Sequence, residues 1–170
     1  MYHEFSEKAF AGSAFLNLPP HNGLIVKDGI IFAVDDDATE ISIDEFTDAP
    51  HKYTGFYSMP VDLDLKHVKK MTLHHLNHAE SMTVFPETVV IADESDATRR
   101  RRNYCGVLND KRIKNFEVKP DSQSFKVIDG ILYSKDGRYL LKCPRGKTGH
   151  VSIPEGTKTI GVEAFRECMI

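Results

Sequence analysis

Hydrophobic and polar positions alternate most legibly over residues 125–170. Val127, Ile131, Leu132, Tyr133, Leu140 and Leu141 are the strand-forming apolar positions of a β-hairpin, and Lys135-Asp136-Gly137 supplies its turn, with a glycine for the left-handed position. Val151-Ser152-Ile153 then reads as a short strand, stopped by Pro154-Glu155-Gly156. Ile160-Gly161, Ala164-Phe165 and Cys168 follow. Each piece is too short to bury an apolar face alone, which predicts a unit that stacks on its neighbours.

The same patterns recur upstream. Phe5, Ala9, Phe10 and Ser13 reproduce the spacing of Ile160, Ala164, Phe165 and Cys168, and Leu16-Asn17-Leu18-Pro19 then offers a strand followed by proline. Val26 to Phe32 echoes Val127 to Tyr133, with Asp-Gly between two strand-like runs in both copies. Ile41-Ser42-Ile43 is the strand expected after the first hairpin. Between about 45 and 115 the pattern weakens. Strands are predicted at 70–73, 82–86, 89–91 and 116–118, with a polar stretch at 93–103 and a non-repeat insertion allowed at 45–65.

The string IPEGTKTIGVEAFRECMI resembles the repeat of the BspA-like leucine-rich repeat family. The preceding FKVIDGILYSKDGRYLLKCPRG resembles the hairpin that this family inserts between units. The resemblance implies a mostly β chain with short helical turns: a right-handed leucine-rich-repeat solenoid with β-hairpin insertions. Residues 1–170 would then be a single array, a fragment of a longer one. It would comprise a partial repeat at 5–19, a hairpin and strand at 24–44, diverged repeats at 45–115, a strand and hairpin at 116–150, and a repeat cut off mid-unit at 151–170. The implied function is non-enzymatic protein–protein interaction or adhesion, in a bacterial surface or secreted protein. The expected partner is a protein ligand, a host or matrix protein among the candidates. Its contact surface would be the strand-ladder face, with His74, His75, Glu117, Lys119 and Ser152 as candidate interaction residues. A structural spacer without its own ligand is the alternative. The uncapped last unit also predicts end-to-end self-association.

Composition adds exclusions. With 41% hydrophobic and 28% charged residues the chain belongs with folded, soluble proteins. A net charge of -3 gives no pull toward nucleic acid. No apolar run approaches the roughly 20 residues that span a bilayer. The opening MYHEFSEKAF lacks a basic region followed by an apolar stretch, so no signal peptide is read within it. The surface location therefore rests on the resemblance.

Candidate chemistry is sparse. His74 and His78 would share one face of a helix or a strand, as a metal pair does, but the glutamate of a HExxH motif is missing. A metal site here is a third alternative; exposed polar residues leaving a strand account for the same pattern. Gly146-Lys147-Thr148 resembles the end of a phosphate loop, but Leu141 stands where that loop needs glycine. Arg99 to Arg102 follow Asp93, Glu94 and Asp96 without interleaved aromatics, as on a solvated face. Asp35 to Asp37, and Asp62 with Asp64, lack the glycine and terminal glutamate of a calcium loop. Cys105, Cys143 and Cys168 are odd in number and show no CxxC spacing; Cys168 reads as a core residue. No cofactor is expected, and no residue set points to an enzyme.

Overall fold

The computed structural model describes residues 7–27, 30–43, 63–74, 82, 84–92, 108–168 and 170. Four short strings share one alternation. Glu-Ile-Ser-Ile, Lys-Met-Thr-Leu, Thr-Val-Val-Ile and Asn-Phe-Glu-Val each place apolar side chains second and fourth. A pleated strand sends alternate residues to opposite faces, so each string buries one side and leaves the other to solvent. They pair side by side in parallel as β3 (Glu40–Ile43), β4 (Lys70–Leu73), β5 (Thr88–Ile91) and β6 (Asn115–Val118), in that spatial order. The register is in step across the sheet: Ile41 lies beside Met71, Met71 beside Val89, and Val89 beside Phe116.

Before this sheet comes an antiparallel pair, β1 (Leu24–Lys27) with β2 (Ile30–Val34); its Asp28-Gly29 turn lies outside the described residues. After it comes a second four-stranded sheet. There β7 (Phe125–Ile128), β8 (Ile131–Ser134) and β9 (Tyr139–Lys142) run antiparallel, and β10 (Thr159–Ile160) adds in parallel beside β9. Asp129 and Gly130 both take left-handed backbone, with φ of 49° and 71°, which closes the β7–β8 hairpin tightly. Gly137, at φ 77°, closes the next turn.

One apolar core runs through all three sheets. Leu24 and Ile31 from the first hairpin, Ile43, Met71, Leu73, Val89, Ile91 and Phe116 from the parallel sheet, and Phe125 and Leu132 from the last sheet belong to it. Two smaller clusters lie beside it. Ile131, Tyr133, Leu140, Cys143 and Ala164 form one under the C-terminal turns. Ile25, Phe32 and Ala33 form the other against Phe10, Leu16 and Leu18, with Phe15 stacked 4.8 Å from Phe32. The alternation of β8 explains the split, since Leu132 faces the main core while Ile131 and Tyr133 face the smaller one.

The single right-handed leucine-rich-repeat solenoid expected over 1–170 is not what forms. Among the described residues the strands divide among three small sheets, parallel and antiparallel, and form no solenoid. The parallel order stops at β6 because the next apolar run doubles back: the Phe116 N–H donates to the carbonyl of Gly130, in a hairpin turn. Helical structure among the described residues consists of two 3-10 turns, Glu7–Phe10 and Ala14–Asn17.

Three local expectations also fail. Leu16-Asn17-Leu18 is not a strand; the segment turns, and the Leu18 N–H closes on the Phe15 carbonyl, which lets Leu16 and Leu18 pack on the first hairpin. Among 82–86, the described residues form no strand; Phe85 packs into the core while its N–H goes to the Asp110 carboxylate. Val151-Ser152-Ile153 is not a strand either. Pro154 to Thr157 form a turn, and the residues that pair with β9 are Thr159 and Ile160.

Candidate functional site

The outward positions of the parallel sheet make one continuous face. Glu40, Lys70, Thr88 and Asn115 form its first row, and Ser42, Thr72, Val90 and Glu117 its second. Every opposite position is apolar, so hydrophobic burial fixes which set faces out. The exposed set consists of short hydroxyl, amide and β-branched side chains flanked by charges.

Ion pairs hold the charges in place. The Lys70 ammonium donates to the Glu117 carboxylate at 2.9 Å, reaching diagonally across β5. This hydrogen bond raises the Lys70 pKa above its ordinary value; burial opposes it, and the charges of Glu117 and Glu40 add to it. The face therefore carries a fixed sequence of negative, positive and negative charge from β3 to β6. At its near rim Lys114 pairs with Glu87 at 2.5 Å, just before β6 and β5. Val90, half-buried, is the single apolar residue in the middle.

Strand spacings of about 4.8 Å and a rise of about 3.3 Å per residue make this face roughly 14 Å by 13 Å. A stable interface buries about 800 Å² on each partner. The sheet face alone falls well short of that, so a partner must also cover the flanking segments.

Of the residues singled out from the sequence, Glu117 lies on this face. His74 directly follows β4, and its N–H donates to the Ile43 carbonyl at 3.1 Å. Lys119 is half-buried just past β6, where its carbonyl accepts the Ser122 N–H. Ser152 is exposed, between β9 and β10, and has no place in the parallel sheet. His75 and His78 lie outside the described residues, as do Cys105 and Arg99 to Arg102. Lys70, Glu40, Thr72, Thr88 and Val90 were missed. The signal for them was the shared alternation of the four strings, which is visible only when the strings are laid beside one another.

Other chemistry-bearing groups have structural partners. Lys147 of the Gly-Lys-Thr string pairs with Asp129 at 3.2 Å, and the Gly146 N–H donates to the Ile113 carbonyl. Among the described residues no group of three or more His, Cys, Asp or Glu side chains is placed to hold a metal ion. No helix among them is long and apolar enough to cross a membrane.

The chain matches no protein-family model and no curated protein. Among solved structures it is similar to a leucine-rich repeat protein from Eubacterium ventriosum, at 13% identity and a TM-score of 0.39, over 76% of this chain and 45% of that one. It is also similar to the pneumococcal vaccine antigen PcpA, at 14% identity and a TM-score of 0.31, over 63% of this chain and 33% of that one. The chain spans less than half the length of either. Likenesses this distant do not decide its architecture.

Proposed function

We propose that this chain is a non-enzymatic protein-interaction module whose partner, another protein, docks on the outer face of β3 to β6. The observation that carries the reading is the charge order on that face, Glu40, Lys70, Glu117, around the apolar Val90. An apolar centre with a polar, ion-paired rim is the anatomy of a protein contact. The matching partner surface presents a small apolar side chain to Val90, basic groups toward Glu40 and Glu117, and hydrogen-bonding groups to Thr72 and Thr88. The flanking segments, Lys119 and the Glu87–Lys114 pair included, supply the remaining area. A bacterial surface or secreted setting is part of the proposal and draws on the resemblance of residues 125–170 to the BspA-like repeat family.

The test is a binding screen against a panel of extracellular-matrix and host-surface proteins, run in parallel with wild type and Val90→Arg. Val90 projects outward, so the variant keeps the core intact. Loss of about tenfold or more in affinity for a captured partner, equal to about 1.4 kcal/mol, is the expected result. A partner bound equally well by both chains would move the contact elsewhere.

A further inference from the structure

We propose that Cys143 and Cys168 are a disulfide-forming pair that, when oxidised, ties the C-terminal turn to the end of β9. The two thiols come from different elements and meet in one small cluster, with Ile131, Tyr133, Leu140 and Ala164 around them. Cys143 is fully buried, just after β9, and Cys168 is half-buried at the end of the last turns. Both sulfurs converge on one carbonyl. Cys168 Sγ lies 3.5 Å from the Pro144 oxygen and 3.6 Å from that of Cys143, and Cys143 Sγ lies 3.7 Å from the Pro144 oxygen.

The surrounding backbone holds this approach. The Cys143 N–H donates to Ala164 at 2.9 Å, and the Cys168 N–H donates to Phe165 at 3.1 Å. Glu163 and Glu167 adopt left-handed backbone, with φ of 59° and 56°, a conformation that costs a non-glycine residue energy. Glu167 is held by an ion pair to Arg145, two residues from Cys143. A turn kept in this strained form with the sulfurs together is set up for a bond between them.

The chemistry needs an oxidant, and a low-molecular-weight disulfide is sufficient. The Cys168 thiolate attacks one sulfur of that disulfide, forming a mixed disulfide and releasing one small thiolate. Cys143 then attacks the Cys168 sulfur; its proton leaves with the second small thiol, and the Cys143–Cys168 bond is complete. Two protein thiols are oxidised and one small disulfide is reduced to two thiols. The order follows from exposure, because only Cys168 is open to solvent. Burial first, then the neighbouring Cys168, push the Cys143 thiol up to about 12, so the second step is slow and quickens with pH.

The test uses the whole chain carrying Cys105→Ser, which removes the third thiol, incubated with oxidised glutathione at about pH 8.5 until its composition is constant. Non-reducing peptide mapping is expected to show Cys143 linked to Cys168 within one chain, with both remaining thiols lost to titration and restored by reductant. A parallel Cys168→Ser variant should keep its buried thiol free, because the attacking sulfur is gone. Cys168 ending as a stable glutathione adduct, or linked to a second chain, would overturn the proposal.

Discussion

Replacing Asp110 with alanine tests how the segments before β5 and β6 are joined. The side chain is nearly buried, and its Oδ2 accepts the Phe85 N–H at 2.9 Å, while Oδ1 accepts the Arg112 N–H at 2.9 Å. The Arg112 guanidinium adds an ion pair at 2.6 Å. Leaving the part-buried Phe85 donor unsatisfied costs about 1–3 kcal/mol. The ion pair, half-exposed on the Arg112 side, adds less than about 1 kcal/mol. Asp110→Ala should therefore destabilise by about 2–3 kcal/mol, a fall of roughly 5–10 °C in Tm for a chain of this size. Asp110→Asn, which keeps one acceptor, should lose about half as much.

The loss should depend on pH. Burial pushes the Asp110 carboxyl up, but hydrogen bonds from the Arg112 side chain, the Arg112 N–H and the Phe85 N–H outweigh it, and its pKa lies below the ordinary 3.8. A depressed folded-state pKa stabilises the fold above the unfolded value, and that stability is lost as pH falls through the folded value. Urea unfolding of both chains from about pH 6 downward should thus show the wild-type advantage shrinking only on the acid side of the ordinary carboxylate pKa. An advantage below about 0.5 kcal/mol at pH 6, or one unchanged under strong acid, would refute this role for Asp110.

Phe116→Ala empties a fully buried site on β6, the last strand of the parallel sheet, and should cost about 3–5 kcal/mol by chemical denaturation. Gly146→Ala places a methyl group against the Lys111 carbonyl oxygen and 2.8 Å from that of Ile113, both backbone atoms; a loss of about 2 kcal/mol or more is expected in Tm measurements. Tyr133→Phe removes a buried hydroxyl that has no hydrogen-bond partner among the described residues, so stability should stay level or rise by about 1 kcal/mol on thermal unfolding.

How much of this was legible in the sequence depended on how local the determining physics was. The Asp129-Gly130 turn and the apolar runs at 70–73, 89–91 and 116–118 announce themselves, because turn chemistry and a period of two need only a few adjacent residues. Pairing is not local. Asp129-Gly130 marks the antiparallel return of β7 into β8, but nothing within Phe125–Ile128 says that this hairpin ends the parallel order, and the repeat-like spacing of Ile160, Ala164 and Cys168 gives no sign of it. Proline after Val151-Ser152-Ile153 looked like a strand stop, yet Thr159 and Ile160 took the place beside β9. On the candidate face Glu117 was found as a charged residue on a predicted strand. Lys70 was not, because its interest comes from an ion pair to a strand two positions away in space. The Cys143–Cys168 contact was hidden for the same reason.

The most direct test of the interaction face is amide hydrogen exchange on the chain bound to a partner recovered from the screen. The account predicts new protection, relative to the free chain, concentrated in peptides covering 40–43, 70–73, 88–91 and 115–119. It also predicts that this protection is absent with Val90→Arg. Protection confined to the first hairpin or to residues 151–170, with these four strands unchanged, would contradict it.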